Sequence, residues 1–215
     1  YGLLRMSTMT SESLFSLATP LIIFAMCGVV ASALLCSRQT DLKSLIAFSS
    51  VSHMGLVVAA TMIKTPWSVS GAMLLMISHG LVSSAMFCLA NTAYERTNSR
   101  TMIILQGSQV LLPLAAAWWL IATMLNMALP PSTNFMGELF ILTSVFKWSP
   151  YSITLAGLGI MFTTAYSLYL FWSSQREYPP SHLKSMTPTT SREHTLLALH
   201  LLPIIALIIK PELLF

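Results

Sequence analysis

Long apolar runs alternate with short polar connections along this chain. A hydrocarbon core of ~30 Å takes about 20 apolar residues to cross as a helix. Leu17–Leu35, Leu42–Ile63, Ser70–Tyr94 and Pro150–Trp172 each fit one crossing, and Pro20 falls in the first turn of its run, where a missing amide hydrogen costs little. Thr195–Ile209 is apolar but short and interrupted by Pro203, so it reads as a tilted or shallow crossing. The stretch from Gln109 to Trp148 is different. It is too long for one straight crossing, its last part, Phe135–Phe146, is too short to cross alone, and Pro130-Pro131-Ser132-Thr133-Asn134 divides it. Pro131 has no amide hydrogen and each proline ring crowds the preceding turn, so carbonyls near Thr123 to Met127 lose helical partners. Such backbone persists inside a membrane only where protein or water satisfies it. The pattern predicts an all-α polytopic membrane helix bundle of about six transmembrane helices, one of them broken at Pro130-Pro131, making a single transmembrane domain over residues 1–215.

The connections complete this picture. Tyr1 to Ser16 reads as the last turn of a helix begun before Tyr1, followed by a Ser/Thr/Met connection holding Glu12. Asp41 is placed to cap the next helix. Lys64-Thr65-Pro66-Trp67 reads as a short turn with an aromatic at the interface. Gln175 to Glu193, with Pro179-Pro180 and Pro188, reads as a surface segment.

Composition agrees with a membrane protein. The 215 residues are 55% hydrophobic and 8% charged, with a mean hydropathy of +0.73, whereas soluble domains carry about 25% charged residues. The net charge of +4 does not point to nucleic acid, because the basic residues are spread thinly over the connections and form no patch. Instead they report orientation, since Lys and Arg collect on one side of a membrane. With six single crossings, Arg38, Lys43, Arg96, Arg100, Arg176, Lys184 and Arg192 share one side, and Arg5, Lys64, Lys147 and Lys210 share the other, seven against four. If the chain turned back at Pro130, the tally would be six against five. The bias favours a single crossing. Cys27, Cys36 and Cys88 lack the spacing of a zinc or redox motif and read as packing residues, as do the 14 methionines. No secretory signal follows Tyr1.

Glu138 is the only acid inside an apolar stretch. An ionised carboxylate at the bilayer centre costs several kcal/mol unless paired or solvated, and intramembrane acids beside a broken helix mark ion paths. The alternative is a carboxylate that only hydrogen-bonds the loose backbone of the break. His53 and His79 lie near the middles of adjacent crossings, and imidazole is the side chain that changes charge nearest neutral pH. Both extend a proton path from Glu138, or else are structural groups satisfied by Ser49 or Ser83. Ser49, Ser52 and His53 fall at i, i+3 and i+4, a polar stripe on one helix face. No third ligand is spaced with the histidines for a metal. Lys43 snorkels at the membrane edge. Arg96 and Arg100 with Glu95 read as a solvated loop cluster. No phosphate loop, Ser/His/Asp grouping or cofactor motif is present.

Several ordered words carry a resemblance: Gln39-Thr40-Asp41-Leu42-Lys43-Ser44-Leu45-Ile46-Ala47, Ser50-Val51-Ser52-His53-Met54-Gly55, Ser78-His79-Gly80-Leu81, Tyr94-Glu95-Arg96-Thr97, Leu129-Pro130-Pro131 and Asn134-Phe135-Met136-Gly137-Glu138-Leu139. Over essentially its whole length the chain resembles the C-terminal half of the chain 4 family of mitochondrial NADH-ubiquinone oxidoreductase, antiporter-like proton-pumping subunits of respiratory complex I. Related antiporter-like subunits commonly carry Lys where this sequence has Glu138. The resemblance implies a fourteen-helix subunit of two inverted five-helix repeats plus flanking helices, of which this chain supplies the end of the eighth helix through the fourteenth. It implies a proton path through Glu138 on the broken helix with His53 and His79 on the connecting segment, the family's helix-five glutamate and buried lysines lying before Tyr1. It further implies the mitochondrial inner membrane as location, other complex I membrane subunits and the lipid bilayer as partners, and protons as the transported species. No cofactor or redox centre is expected in this chain, NADH and ubiquinone binding elsewhere in the complex. The alternative is a subunit of a sodium/proton antiporter of the same fold.

Overall fold

A computed structural model describes residues 1–9, 15–176 and 187–210, and every regular element among them is helical. The chain forms α1 (Gly2–Met9), α2 (Phe15–Ser37), α3 (Leu42–Ile63), α4 (Pro66–Thr97), a 3-10 turn (Met102–Leu105), α5 (Ser108–Leu111), α6 (Pro113–Asn126), α7 (Thr133–Trp148), α8 (Ser152–Gln175) and α9 (Ser191–Ile209). Among the described residues α2, α3, α4, α8 and α9 are each long and apolar enough to cross a membrane alone. The protein is a multi-pass membrane helix bundle. Glu12, Pro179-Pro180 and most of the expected surface segment lie outside the described residues.

The long divided stretch runs from one end of the bundle to the other. At one end, Gly107 donates its backbone N–H to the Arg176 carbonyl (3.1 Å), Leu42 donates to Arg100 (3.0 Å) and Met102 donates to Thr40 (3.1 Å). The connections holding Arg38, Arg100 and Arg176 therefore gather on one face, as the basic-residue tally predicts. At the other end Lys147 lines a hollow with Thr65, Pro66 and Trp67, and Trp67 meets Phe140 edge to face at 5.1 Å. Two half-helices, α6 and α7, thus join opposite faces.

The structure moves several boundaries. The chain turns by 119° at Leu112, so Ser108–Leu111 is separate from the crossing that Pro113 starts; a proline at the first helical position needs no amide hydrogen there. The same logic lengthens α4, where Pro66 begins the helix and the Thr65 side chain accepts from the Ser68 backbone N–H at 3.2 Å. Only Lys64 and Thr65 remain as the turn. Asp41 occupies the position before α3 but makes no side-chain cap; the backbone bonds to Arg100 and the 3-10 turn order this end instead. Pro203 does not interrupt α9, which is continuous over 19 residues.

The break itself spans Met127–Ser132, with a cis peptide at Pro130-Pro131 and Ala128 in the left-handed region at φ 53°. Its carbonyls are answered from within. Thr123 accepts from Met127 N–H (2.9 Å) and Met124 from Leu129 N–H (3.3 Å). Asn134, one residue into α7, donates Nδ2–H to the Leu125 carbonyl at 2.9 Å. Its Oδ1 meets the hydroxyl of Ser78 on α4. Asn134 thereby ties both half-helices to the helix that carries His79. Replacing Asn134 by Ala deletes these buried bonds, and a lost buried hydrogen bond costs about 1–3 kcal/mol. The thermal unfolding midpoint of the membrane-embedded protein is then expected to fall; an unchanged midpoint would show that the break holds without it.

Packing around the break is close because glycines permit it. An added Cβ at Gly71 of α4 would stand 2.9 Å from Phe140 Cβ and 3.0 Å from the Gly137 carbonyl oxygen. On the other side of the bundle, Val29 of α2 lodges its methyls against Gly55 of α3 and Gly159 of α8, where added Cβ atoms would each stand 2.6 Å from it.

Candidate functional site

α3, α4 and α7 bring the three expected residues together. His53 is fully buried, His79 is 3% exposed and Glu138 is 5% exposed. His53 Nδ1 lies 3.2 Å from Glu138 Oε1, and the rings of His53 and His79 stand 4.8 Å apart at their centroids. The pair distance between His53 and Glu138 is that of an ion pair, but the N–H direction misses the oxygen, so no aligned hydrogen bond forms. Neither imidazole has a protein hydrogen-bond partner among the described residues. The result is a buried row, His79, His53, Glu138, of groups able to take up and release protons at close range.

Helix geometry explains the row. Ser49, Ser52 and His53 are all buried on one face of α3, as their spacing predicts. Ser49 donates to the Ile46 carbonyl at 2.7 Å. Ser83 does not serve His79; its hydroxyl donates to the Gly80 carbonyl (3.2 Å) on a more open side of α4. What His79 faces is the other imidazole. Its neighbour Ser78 reaches Asn134, so adjacent residues of α4 serve the break and the row.

Sequence reasoning missed four buried polar residues here. Asn134 has been described. Asn126 and Thr133 flank the break with side-chain oxygens that are buried and unpartnered among the described residues. Tyr166 of α8 is 1% exposed, and its hydroxyl also lacks an aligned partner. A signal for Tyr166 existed: Thr163 and Ser167 flank it on the same buried face of α8.

The basic cluster is also different from expectation. Arg96 is not solvated: its side chain is 6% exposed and forms a fork with both carboxylate oxygens of Glu193, at 2.6 and 2.8 Å. It also donates to the Thr92 and Thr187 carbonyls, at 2.9 and 3.1 Å. Trp118 Nε1–H donates to His194 Nδ1 at 2.9 Å beside it, so α9 is fastened near its start to α4 and α6. Lys43 and Arg100 both lie over the Tyr94 ring, 5.1 and 5.6 Å from its centre. No group of three His, Cys, Asp or Glu suited to a metal occurs among the described residues.

Comparison with known proteins gives the row a context. The NADH-ubiquinone oxidoreductase chain 4 of Carassius auratus is 56% identical over 100% of this chain, and that of Tetraodon nigroviridis is 57% identical over 100%. This chain spans 47% of the length of each, about half. Among solved structures, respiratory complex I from Thermus thermophilus with bound NADH contains a chain that superposes with a TM-score of 0.87 at 26% identity, over 93% of this chain and 42% of that one. The Mrp complex from Dietzia gives a TM-score of 0.80 at 25% identity, over 95% of this chain and 22% of that one. A family model described as NADH:quinone oxidoreductase/Mrp antiporter, TM, matches residues 1–164, which hold the whole His79, His53, Glu138 row. The chain belongs to the NADH:quinone oxidoreductase/Mrp antiporter transmembrane family.

Proposed function

We propose that this chain is part of a proton-translocating membrane subunit of respiratory complex I, in the mitochondrial inner membrane, and that residues 1–215 form one transmembrane domain of that subunit. NADH oxidation and ubiquinone reduction take place in other subunits, which drive it; no redox centre sits in this chain. Its partners are the neighbouring membrane subunits and the surrounding lipid. The observation that carries the reading is the buried contact of His53 with Glu138 at 3.2 Å beside the His79 ring. An imidazole and a carboxylate at that range exchange a proton without either group having to be stranded as an isolated charge in an apolar interior. The names of the 56%-identical relatives support the same reading.

A sodium/proton antiporter subunit is the other reading, and likeness to the Mrp complex favours it only as far as a shared fold does. The test uses inverted membrane vesicles carrying the complete complex with the full-length subunit. NADH-driven acidification is expected without sodium, and His53→Ala or His79→Ala is expected to slow it roughly tenfold, less than the hundredfold or more that a placed acid–base group contributes. Acidification that requires sodium would assign the antiporter role; wild-type rates in both variants would remove the histidines from the path.

A further inference from the structure

We propose that Tyr166, working with Ser52 and Ser49, is a proton-carrying station that extends the His53–Glu138 row towards the face where the basic connections gather. This rests on the proton-translocating reading above. Four observations place it. The Tyr166 ring is almost wholly buried, yet its hydroxyl has no aligned hydrogen-bond partner among the described residues. Tyr166 belongs to the same buried cluster as Cys36 of α2 and Leu45 and Ile46 of α3, one turn before Ser49, and the Ser52, Ser49 and Glu138 side chains act on its hydroxyl. Ser52 is the residue before His53, and its own hydroxyl is likewise buried and unpartnered. Finally, Tyr166 is within electrostatic range of Cys36, at the end of α2 beside Arg38.

Direction follows from the helices. α3 enters from the basic face at Leu42, so Ser49 and Ser52 precede His53 on the way in, and α8 leaves through that face at Arg176. Tyr166 lies ten residues before Arg176, about 15 Å of helix at 1.5 Å per residue. Buried hydroxyls left without a partner are costly, and two of them, on α8 and α3, next to a titratable row have a use that packing alone does not supply. A phenol relays without becoming an ion. It passes its own proton to the neighbour on one side while accepting another from the opposite side, one O–H bond breaking as the next forms, and rotation of the hydroxyl resets it.

The experiment compares Tyr166→Phe, Ser52→Ala and Glu138→Gln in the full-length subunit of the assembled complex, in vesicles, reading NADH-driven proton uptake and its solvent deuterium isotope effect. Tyr166→Phe keeps the ring and its packing. It is expected to slow proton uptake roughly tenfold and to enlarge the isotope effect, which a packing defect would leave alone. Ser52→Ala, a change of one oxygen, is expected to do the same, and stands in if the Phe variant does not assemble. Wild-type uptake and isotope effect in Tyr166→Phe, or in Ser52→Ala where only that variant assembles, overturn the station. If Glu138→Gln blocks uptake at the same time, the translocating reading survives that failure. If Glu138→Gln is also without effect, both fall together.

Discussion

Glu138→Gln in the assembled complex is expected to stop proton translocation and to pull the coupled rate of NADH oxidation down with it. The amide keeps the size of the acid and can still accept and donate hydrogen bonds, but it neither takes up nor releases a proton near neutral pH. A carboxylate that served only to brace the break would tolerate the change. Glu138 is poorly suited to that static role, because Asn134 already answers the Leu125 carbonyl and Glu138 Oε1 lies 3.2 Å from His53 Nδ1. Without an acid there, a proton on His53 has no acceptor on that side. The loss should exceed that of either histidine variant, at about a hundredfold or more, within the range a placed acid–base group contributes. Glu138→Asp keeps the charge one methylene further away, beyond 3.2 Å, and should retain part of both rates. Proton uptake and NADH oxidation measured on membranes with normal complex content decide the matter: unaffected rates in the Gln variant would assign Glu138 to structure.

Gly137→Ala is expected to be nearly as damaging, although it adds one methyl group and removes nothing. The new Cβ would stand 2.9 Å from the backbone nitrogen of Leu75, 3.1 Å from its Cβ and 3.2 Å from the Gly71 carbonyl. Those atoms belong to a helix backbone and cannot swing aside. α4 and α7 must separate, and overpacking of this kind costs about 1–3 kcal/mol. Function is more exposed than stability. Residue 138 follows directly, so the separation also shifts Glu138 relative to His53 and His79, and misplacement by 1 Å can cost about a hundredfold in rate. Gly80→Ala provides the contrast, since nothing lies within 4 Å of its added Cβ. The pair should differ sharply in proton uptake at equal complex content. Equal behaviour would mean that the α4–α7 seam does not set the geometry of the row.

The legible parts of this protein were those with a period or a single decisive residue type. Apolar runs gave the crossings, two consecutive prolines gave the break, and one acid in an oily stretch gave Glu138. Helical spacing put Ser49, Ser52 and His53 on one face. The rest depended on which helix faces which. Ser83 lies one turn from His79 in sequence, yet the ring meets His53 across the α3–α4 seam, a contact between helices that local spacing does not encode. Arg96 read as solvated because its partner, Glu193, lies almost a hundred residues away. Tyr166 looked like one aromatic among several because exposed Tyr169 and Trp172 follow it. Asn134 was hidden in turn-like composition, and its work of bridging both half-helices shows only when the carbonyl of Leu125 is located.

Val29 bears on how this bundle can change state. A valine has one strongly preferred rotamer in a helix, and here its two methyls are seated in notches on two different helices, Gly55 of α3 and Gly159 of α8. Sliding either helix along α2 would drive the next side chain or backbone into those methyls, so the three helices form a stator. The Gly71 and Gly137 contact locks α4 to α7 in the same way. Two blocks therefore remain, and the His53–Glu138 contact lies on the seam between them. Within such a frame the cheapest moving parts are rings, hydroxyls and protons, so the proposed proton transfer would proceed by switching side-chain orientation and charge across one fixed seam, without a piston stroke of the helices.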